Sequence, residues 1–343
     1  MRLLSRRRIV ILAYHGFTDK TTHEGIENNH GKHLHVDAFS SHVQHLKKYY
    51  NVIPLDRLIQ HYTSGAAVPD RSVVITIDDG YESTYTLAYP ILKQQALPAT
   101  VFLTTNFVEN QDWLWTDRLE YALNSTTASL LEFEMAGERL SYDVRNNASK
   151  LACDSEIRSR LKRIPQELVP SAVEHVERAL ARRPPTDSEM PEIYRPLQWH
   201  QVMEMVESGI VSVGSHGATH VILTRCNAAR ARNELLLSKQ LIEKRTARSC
   251  RSFCYPNGQV GCFDRETKGW LQEFGYSCGV TTVFGMNDQG SDAFELKRLY
   301  GDERGQIVRF MMTVSGVVGV LDGMKRRLLR MVKRARAVDE QRQ

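Results

Sequence analysis

The 343-residue chain is 42% hydrophobic and 25% charged. That is the balance of a globular protein with room for one large domain or two ordinary ones, and it excludes a disordered chain, a collagen-like repeat or a disulfide-stapled miniprotein. The net charge of +5, from 45 basic and 40 acidic side chains, belongs to the two ends: without Met324–Gln343 and the arginines at 2, 6, 7 and 8 the body holds 33 basic against 38 acidic groups, which argues against a nucleic-acid-binding body.

In chain order, the opening stretch has a basic character, but its apolar run Ile9–Ala13 is shorter than the about 7–15 residues of an export-signal core, so it reads as a first strand. Further β-rich runs follow at Asn51–Pro54, Ser72–Ile77, Ala99–Leu103, Ile210–Gly214, Arg251–Tyr255, Tyr276–Thr281 and Glu295–Leu299. They alternate with helical patterns, the rhythm of an α/β chain with parallel strands, and their number points to a barrel. The pattern predicts helices over Asp37–Tyr49 (Asp37 as N-cap; Phe39, Val43 and Leu46 inward), Trp199–Glu207 (Trp199, Val202, Met203 and Val206 inward; Gly209 as stop) and Ala228–Lys244.

Between about Asp117 and Pro196 the alternation breaks. Glu156–Arg182 reads as helix and Arg182–Asp187 as linker, and an insertion of this size is expected to cover the barrel mouth as a lid or substrate cap. The predicted organisation is therefore a barrel from 9–116 and 197–305, an insertion over 117–196, and a C-terminal segment over 306–343. In the last of these, Met324, Leu328, Met331, Val332 and Ala335 share one side of a basic amphipathic helix. Such a helix fits either an anionic membrane surface or plain solvation. The uncharged stretch Phe310–Leu321 is about half of what a spanning helix requires, so no span is predicted and the expected compartment is the cytoplasm, with peripheral contact at the inner membrane face through the tail. The six cysteines contain no CxxC pair, so neither a zinc tetrathiolate nor a disulfide framework is expected.

Three patterns carry chemistry. Val73–Ile77 runs into Asp78-Asp79-Gly80, which places two carboxylates at the C-terminal end of a strand, where parallel α/β folds keep their sites; Asp-Gly is also a common plain turn. His216 and His220 follow another apolar run with the four-residue spacing that lets two imidazoles on one helical turn reach one cation. With one carboxylate they make a set that leaves coordination positions open. Tyr255-Pro256-Asn257-Gly258 ends a third run as a sharp loop. Trp113 and Trp115 open the insertion, as sugar-stacking or packing residues. The histidines at 23, 30, 33 and 35 cluster without a carboxylate spacing that would define a second metal site.

Taken with Ala13-Tyr14-His15, Pro98–Leu103 and Leu296-Lys297-Arg298, these motifs make the chain resemble the polysaccharide deacetylase family, the NodB-homology or family 4 carbohydrate esterases, from about Ile9 to Tyr300 apart from the insertion. The resemblance implies a distorted (β/α) barrel of about 7–8 strands, here with a mostly helical inserted cap, and metal-dependent removal of an N-acyl group, usually acetyl, from an amino sugar. It implies Asp79, His216 and His220 as ligands of a divalent metal, zinc by default, Asp78 as general base, and the backbone N–H at Tyr255 as oxyanion donor. Two departures stand out. Cys254 occupies the place of the arginine that usually partners the base, which leaves Arg298 or a solvated charge at that position as the alternatives. No histidine follows His220, which leaves His15 as the candidate acid. The expected substrate is an N-acylated oligo- or polysaccharide. The alternatives are deformylation of a lipid-linked amino sugar at the cytoplasmic membrane face and a non-catalytic glycan-binding relative.

Overall fold

The structure is a computed structural model that describes residues 8–185, 189–301 and 306–318. The chain begins with strand β1 (Val10–Tyr14), the short β2 (Gly16–Thr18) and β3 (His33–His35), helix α1 (Val36–Tyr49), β4 (Asn51–Val52), α2 (Leu55–Ser64), β5 (Ser72–Ile77), α3 (Tyr89–Gln95), β6 (Ala99–Leu103) and α4 (Thr105–Asn110). The insertion contributes α5 (Trp115–Ser125), a hairpin of β7 (Leu130–Met135) and β8 (Glu138–Asp143), α6 (Asn147–Leu161) and α7 (Val169–Ala179). The chain then returns through α8 (Trp199–Glu207), β9 (Val211–Ser215), α9 (Ala228–Thr246), β10 (Ser252–Cys254), α10 (Arg265–Glu273), β11 (Cys278–Phe284), β12 (Leu296–Tyr300) and α11 (Ile307–Val314).

All eight strands expected from the apolar runs form. Seven close a parallel barrel in the order β1-β12-β11-β10-β9-β6-β5, with β5 pairing back to β1; the two residues of β4 attach to the start of β5. The distorted (β/α) barrel expected from the resemblance is thus the fold. Strands buried on both faces need apolar residues at every position, which is why VILAY, SVVITI and ATVFL carry no alternation. One set of their side chains (Ile11, Val74, Phe102, Cys254, Val280, Leu296) fills the barrel and is closed at one end by Leu55, Leu58 and Ile59 of α2. The other set packs against the surrounding helices. Gly214 is the tight point: a Cβ there would stand 2.5 Å from both Phe102 and Ser252 side chains.

Several local expectations are corrected. The N-cap of α1 is His35, whose Nδ1 accepts from the Asp37 N–H, and not Asp37. In α8 the inward residue is Met205, whereas Met203 is half-buried. The run Glu156–Arg182 breaks after Leu161 and resumes as α7. The sequence does not predict the β7–β8 hairpin; its Leu131, Phe133 and Met135 alternate with exposed residues and join α5, α6 and α7 in a second apolar cluster that runs from Leu119 to Leu180 and also takes in Ile26. The expected linker is described only as far as Pro185, whose carbonyl accepts from Trp113 Nε1. The basic tail Met324–Gln343 lies outside the described residues. Among the described residues no helix is long and apolar enough to cross a membrane, and all six cysteines are free thiols.

Candidate active site

The C-terminal ends of the barrel strands converge on one cavity of about 210 Å³. β1 delivers His15, β5 delivers Asp78 and Asp79, β9 leads into His216 and His220, and β10 leads into Tyr255 and Asn257; the insertion adds Trp115, Lys162 and Gln166 to the wall. His15, Asp78, Asp79, His216, His220 and Tyr255, singled out from sequence and spread from position 15 to position 255, therefore meet at one place.

The two neighbouring aspartates have separate surroundings. Asp78 is buried, and its carboxylate receives both terminal nitrogens of Arg298, at 2.8 and 2.7 Å. Arg298 lies within β12, fully buried, and donates also to the Thr281 carbonyl, the Thr76 hydroxyl and Cys254 Sγ. Burial pushes the Asp78 carboxyl up, but the guanidinium overcomes it and holds the pKa below its usual value. The position that Cys254 vacates is thus served from another strand, and the Cys254 thiol fills the corner between Asp78 and Arg298, donating to Asp78 at 3.4 Å. Removing the guanidinium would strand a buried carboxylate, which costs about 3–5 kcal/mol.

Asp79 turns the other way. Its φ of 75° is unusual for a side-chain-bearing residue and is held by its carbonyl, which accepts from the Thr104 N–H. Its Oδ1 is 3.4 Å from Nε2 of both His216 and His220. Asp79 Oδ1 is buried and makes no hydrogen bond, as is also true of His220 Nδ1. His216 Nδ1 donates to the Cys254 carbonyl at 2.7 Å, which directs the other ring nitrogen, Nε2, toward Asp79. One carboxylate oxygen and two imidazole nitrogens within 4.8 Å of one another, with the oxygen lacking any donor, fit a divalent cation of the type that takes mixed N/O ligands. A second grouping, Asp78, His216 and Cys254, is less suited because Arg298 already occupies both Asp78 oxygens.

The His-x-x-x-His spacing works without the expected helical turn. Residues 216–222 form a loop in which Gly217 (φ 80°) and His220 (φ 59°) adopt left-handed backbone. Glu234 of α9 fastens it, accepting from the N–H groups of Ala218 and Thr219 and from the Thr219 hydroxyl. The first amides of α4 donate to the Gly217 and Ala218 carbonyls. Nothing near Glu234 in sequence marks this role.

His15 stands at the cavity with Nε2 3.9 Å from Asp78 Oδ2. Burial lowers its pKa, partly offset by Asp79 and Asp78. Tyr255 is corrected: its N–H is committed to the Val280 carbonyl at 3.1 Å, and its ring is buried with the hydroxyl donating to the Phe294 carbonyl. Pro256 has no N–H, so the next main-chain donor is Asn257, at φ 61° on the cavity wall, whose N–H has no protein acceptor among the described residues. Gly258 makes the turn possible, since a Cβ there would come within 2.8 Å of the Thr282 N and Tyr255 O atoms. Of the other histidines, His23 pairs with Glu27 and His30 with Asp154, while His33 lies against Tyr81; none joins a metal-type cluster among the described residues.

The profile of polysaccharide deacetylases matches residues 65–279, and the chain belongs to that family. The poly-β-1,6-N-acetyl-D-glucosamine N-deacetylase of Staphylococcus aureus is 32% identical over 120 residues; the match covers 34% of this chain and 41% of that protein, well under two thirds of the relative's length. Among solved structures, a Streptococcus pyogenes deacetylase in complex with acetate superposes with a TM-score of 0.57 at 17% identity, covering 89% of this chain and 98% of that one. IcaB from Ammonifex degensii gives 0.54 at 15%, covering 89% and 97%. At these identities the structural likeness establishes the fold.

Proposed function

We propose that the chain hydrolyses the N-acyl group, chiefly acetyl, of an amino sugar within a glycan. The observation that carries this is one cavity holding two differently equipped aspartates: Asp79 facing two imidazole nitrogens and no hydrogen-bond donor, and Asp78 kept ionised by Arg298. Family membership and the N-deacetylase named among the relatives support the substrate class.

Asp79, His216 and His220 would hold the divalent cation, with zinc the first choice. Such an ion supplies Lewis acidity, polarising the acyl carbonyl and lowering the pKa of water from 15.7 to about 7. Asp78 takes the proton of the attacking water; as an ionised carboxylate it is always ready to do so. His15, whose pKa desolvation lowers, is placed to receive that proton and pass it to the departing amine nitrogen, so that the C–N bond breaks without expelling an amide anion. The main-chain N–H of Asn257 faces the developing oxyanion, a contribution of roughly 2.7–4 kcal/mol for one such donor.

Acetate release from N-acetylated oligosaccharides by zinc-loaded protein tests the proposal. Asp78→Asn, which keeps the shape of the side chain but not its basicity, should lower kcat about 10³-fold with metal content unchanged. A wild-type protein that releases no acyl group with any divalent metal would refute it.

A further inference from the structure

The wall that the insertion lends to the catalytic cavity carries a charge that nothing within the protein answers. Two lysines line that cavity, Lys32 and Lys162. Lys32 is fully engaged, donating to the Tyr81 and Thr116 hydroxyls and to the Asp117 carboxylate. Lys162, the C-cap of α6, makes no side-chain hydrogen bond and no ion pair among the described residues, although Arg158 and Arg160 on the preceding turn are both paired with carboxylates. The residue as a whole is exposed, yet burial of its ammonium end, with Arg158 adding to it, lowers the pKa from the usual lysine value, a shift that a freely solvated ammonium does not undergo. The loop after β10 brings a second free donor to the same cavity: Gln259, whose side-chain amide has no partner among the described residues. Cys262 links the two, since its N–H closes the turn onto the Gln259 carbonyl at 2.9 Å and its sulfur acts on the Lys162 charge. The carboxylates of the cavity are already committed, Asp78 to Arg298 and Asp79 toward the two imidazoles. An ammonium and a carboxamide that lack acceptors, side by side in a cavity, are the chemistry that takes a negatively charged oxygen group.

We infer that Lys162 and Gln259 bind an anionic oxygen group carried by the substrate, a carboxylate or a phosphate, so that the preferred substrate is an acidic N-acylated sugar rather than a neutral one. The insertion then acts as the element that selects substrate by charge. A cleft whose unanswered charge has one sign concentrates ligands of the opposite sign, and an ammonium with three donors accepts either anion. The inference rests on the proposed deacylase activity for the sugar; recognition of the anion is a matter of binding and is independent of turnover.

The test compares an N-acetylated trisaccharide with two derivatives of it, one bearing a 6-O-phosphate and one a 6-carboxylate. Acetate release by the zinc-loaded protein gives kcat/KM for each. Calorimetric titration with the corresponding de-N-acetylated sugars, from which no acyl group can be released, gives affinity separately. At low salt wild type is expected to favour an acidic form about 10-fold in both measurements, with the preference shrinking as salt rises. The derivative that is favoured identifies the group. Lys162→Met keeps the length of the stem without its charge and should bring the ratio of acidic to neutral to about 1; Lys162→Glu should invert the preference and Lys162→Arg should restore it. Because Lys162 is exposed at the end of a helix, these variants leave the core intact. A wild type that does not distinguish acidic from neutral sugars, or a preference that survives in Lys162→Met and Lys162→Glu, would overturn the inference. An acidic preference in the titrations with no acetate released by wild type from any of the sugars would uphold the anion site and refute the deacylase proposal instead.

Discussion

The barrel mouth and the insertion bury charged side chains in opposite ways. In and beside the insertion each buried carboxylate has a cation on it: Asp154 takes Arg158 and His30, Asp117 takes Lys32, and Glu177 takes both ends of Arg118. These pairs tie α5, α6, α7 and the residues before β3 to one another, a purely structural use. At the mouth, Asp78 is satisfied in the same manner by Arg298, but Asp79 is left with an oxygen that no donor reaches, facing two ring nitrogens. The contrast shows that burial alone does not mark a site. The informative feature is a buried carboxylate with no lysine or arginine on it whose free oxygen faces two ligand-type nitrogens; Asp154 also has an unpartnered oxygen, Oδ1, but its Oδ2 already carries Arg158 and His30.

That contrast can be broken at its strongest point first. Arg298→Met leaves the Asp78 carboxylate buried and unpaired; it should cost about 3–5 kcal/mol in denaturant unfolding, and whatever folds should lose turnover through kcat, with KM little changed. Stability within 1 kcal/mol of wild type would mean that Asp78 does not depend on its guanidinium.

The structural pairs of the insertion predict a pH effect instead. Burial raises the pKa of Asp154, but His30 and Arg158 outweigh it and hold the carboxyl below its usual value. Its stabilisation is therefore present in full above the unfolded-state pKa of about 3.9 and is lost as the pH falls through the folded value. The urea midpoint should fall more steeply below about pH 4 in wild type than in Asp154→Asn; parallel profiles would show that the network is not a stabilising element. The smallest effect belongs to Asn257→Gly. Glycine accepts the φ of 61° and keeps the main-chain N–H, so acyl release should stay within about 3-fold of wild type, whereas a 100-fold loss would assign the role to the side chain.

The barrel and most of its site were legible in the sequence for a physical reason. Parallel strands buried on both faces leave uninterrupted apolar runs, and functional groups sit where those runs stop, so Asp78, Asp79, His216 and His15 are all visible as strand ends. What was hidden depends on contacts far apart in the chain. The His216–His220 loop needs Glu234 and the amides of α4 to shape it; Arg298 is already a candidate partner of Asp78 in the sequence, and the contact over 220 positions decides between that reading and a solvated charge. The N–H of Tyr255 is claimed by the neighbouring strand, which no motif could reveal. The hairpin at 130–143 carries its alternation openly, yet its turn places Ala136 and Gly137 at φ 53° and 81°, and alanine there lacks the Asn-Gly or Asp-Gly signal of such turns.

The central claim, that the incomplete cluster at Asp79 is a cation site on which hydrolysis depends, is tested most directly by removing and restoring the ion. Protein stripped with a chelator should lose acetate release from an N-acetylated oligosaccharide, bind about one zinc ion per chain on reloading and regain activity in proportion to the metal bound, and His216→Ala should neither bind the ion nor recover. Acetate release that persists in the stripped protein, or in His216→Ala, would contradict the account.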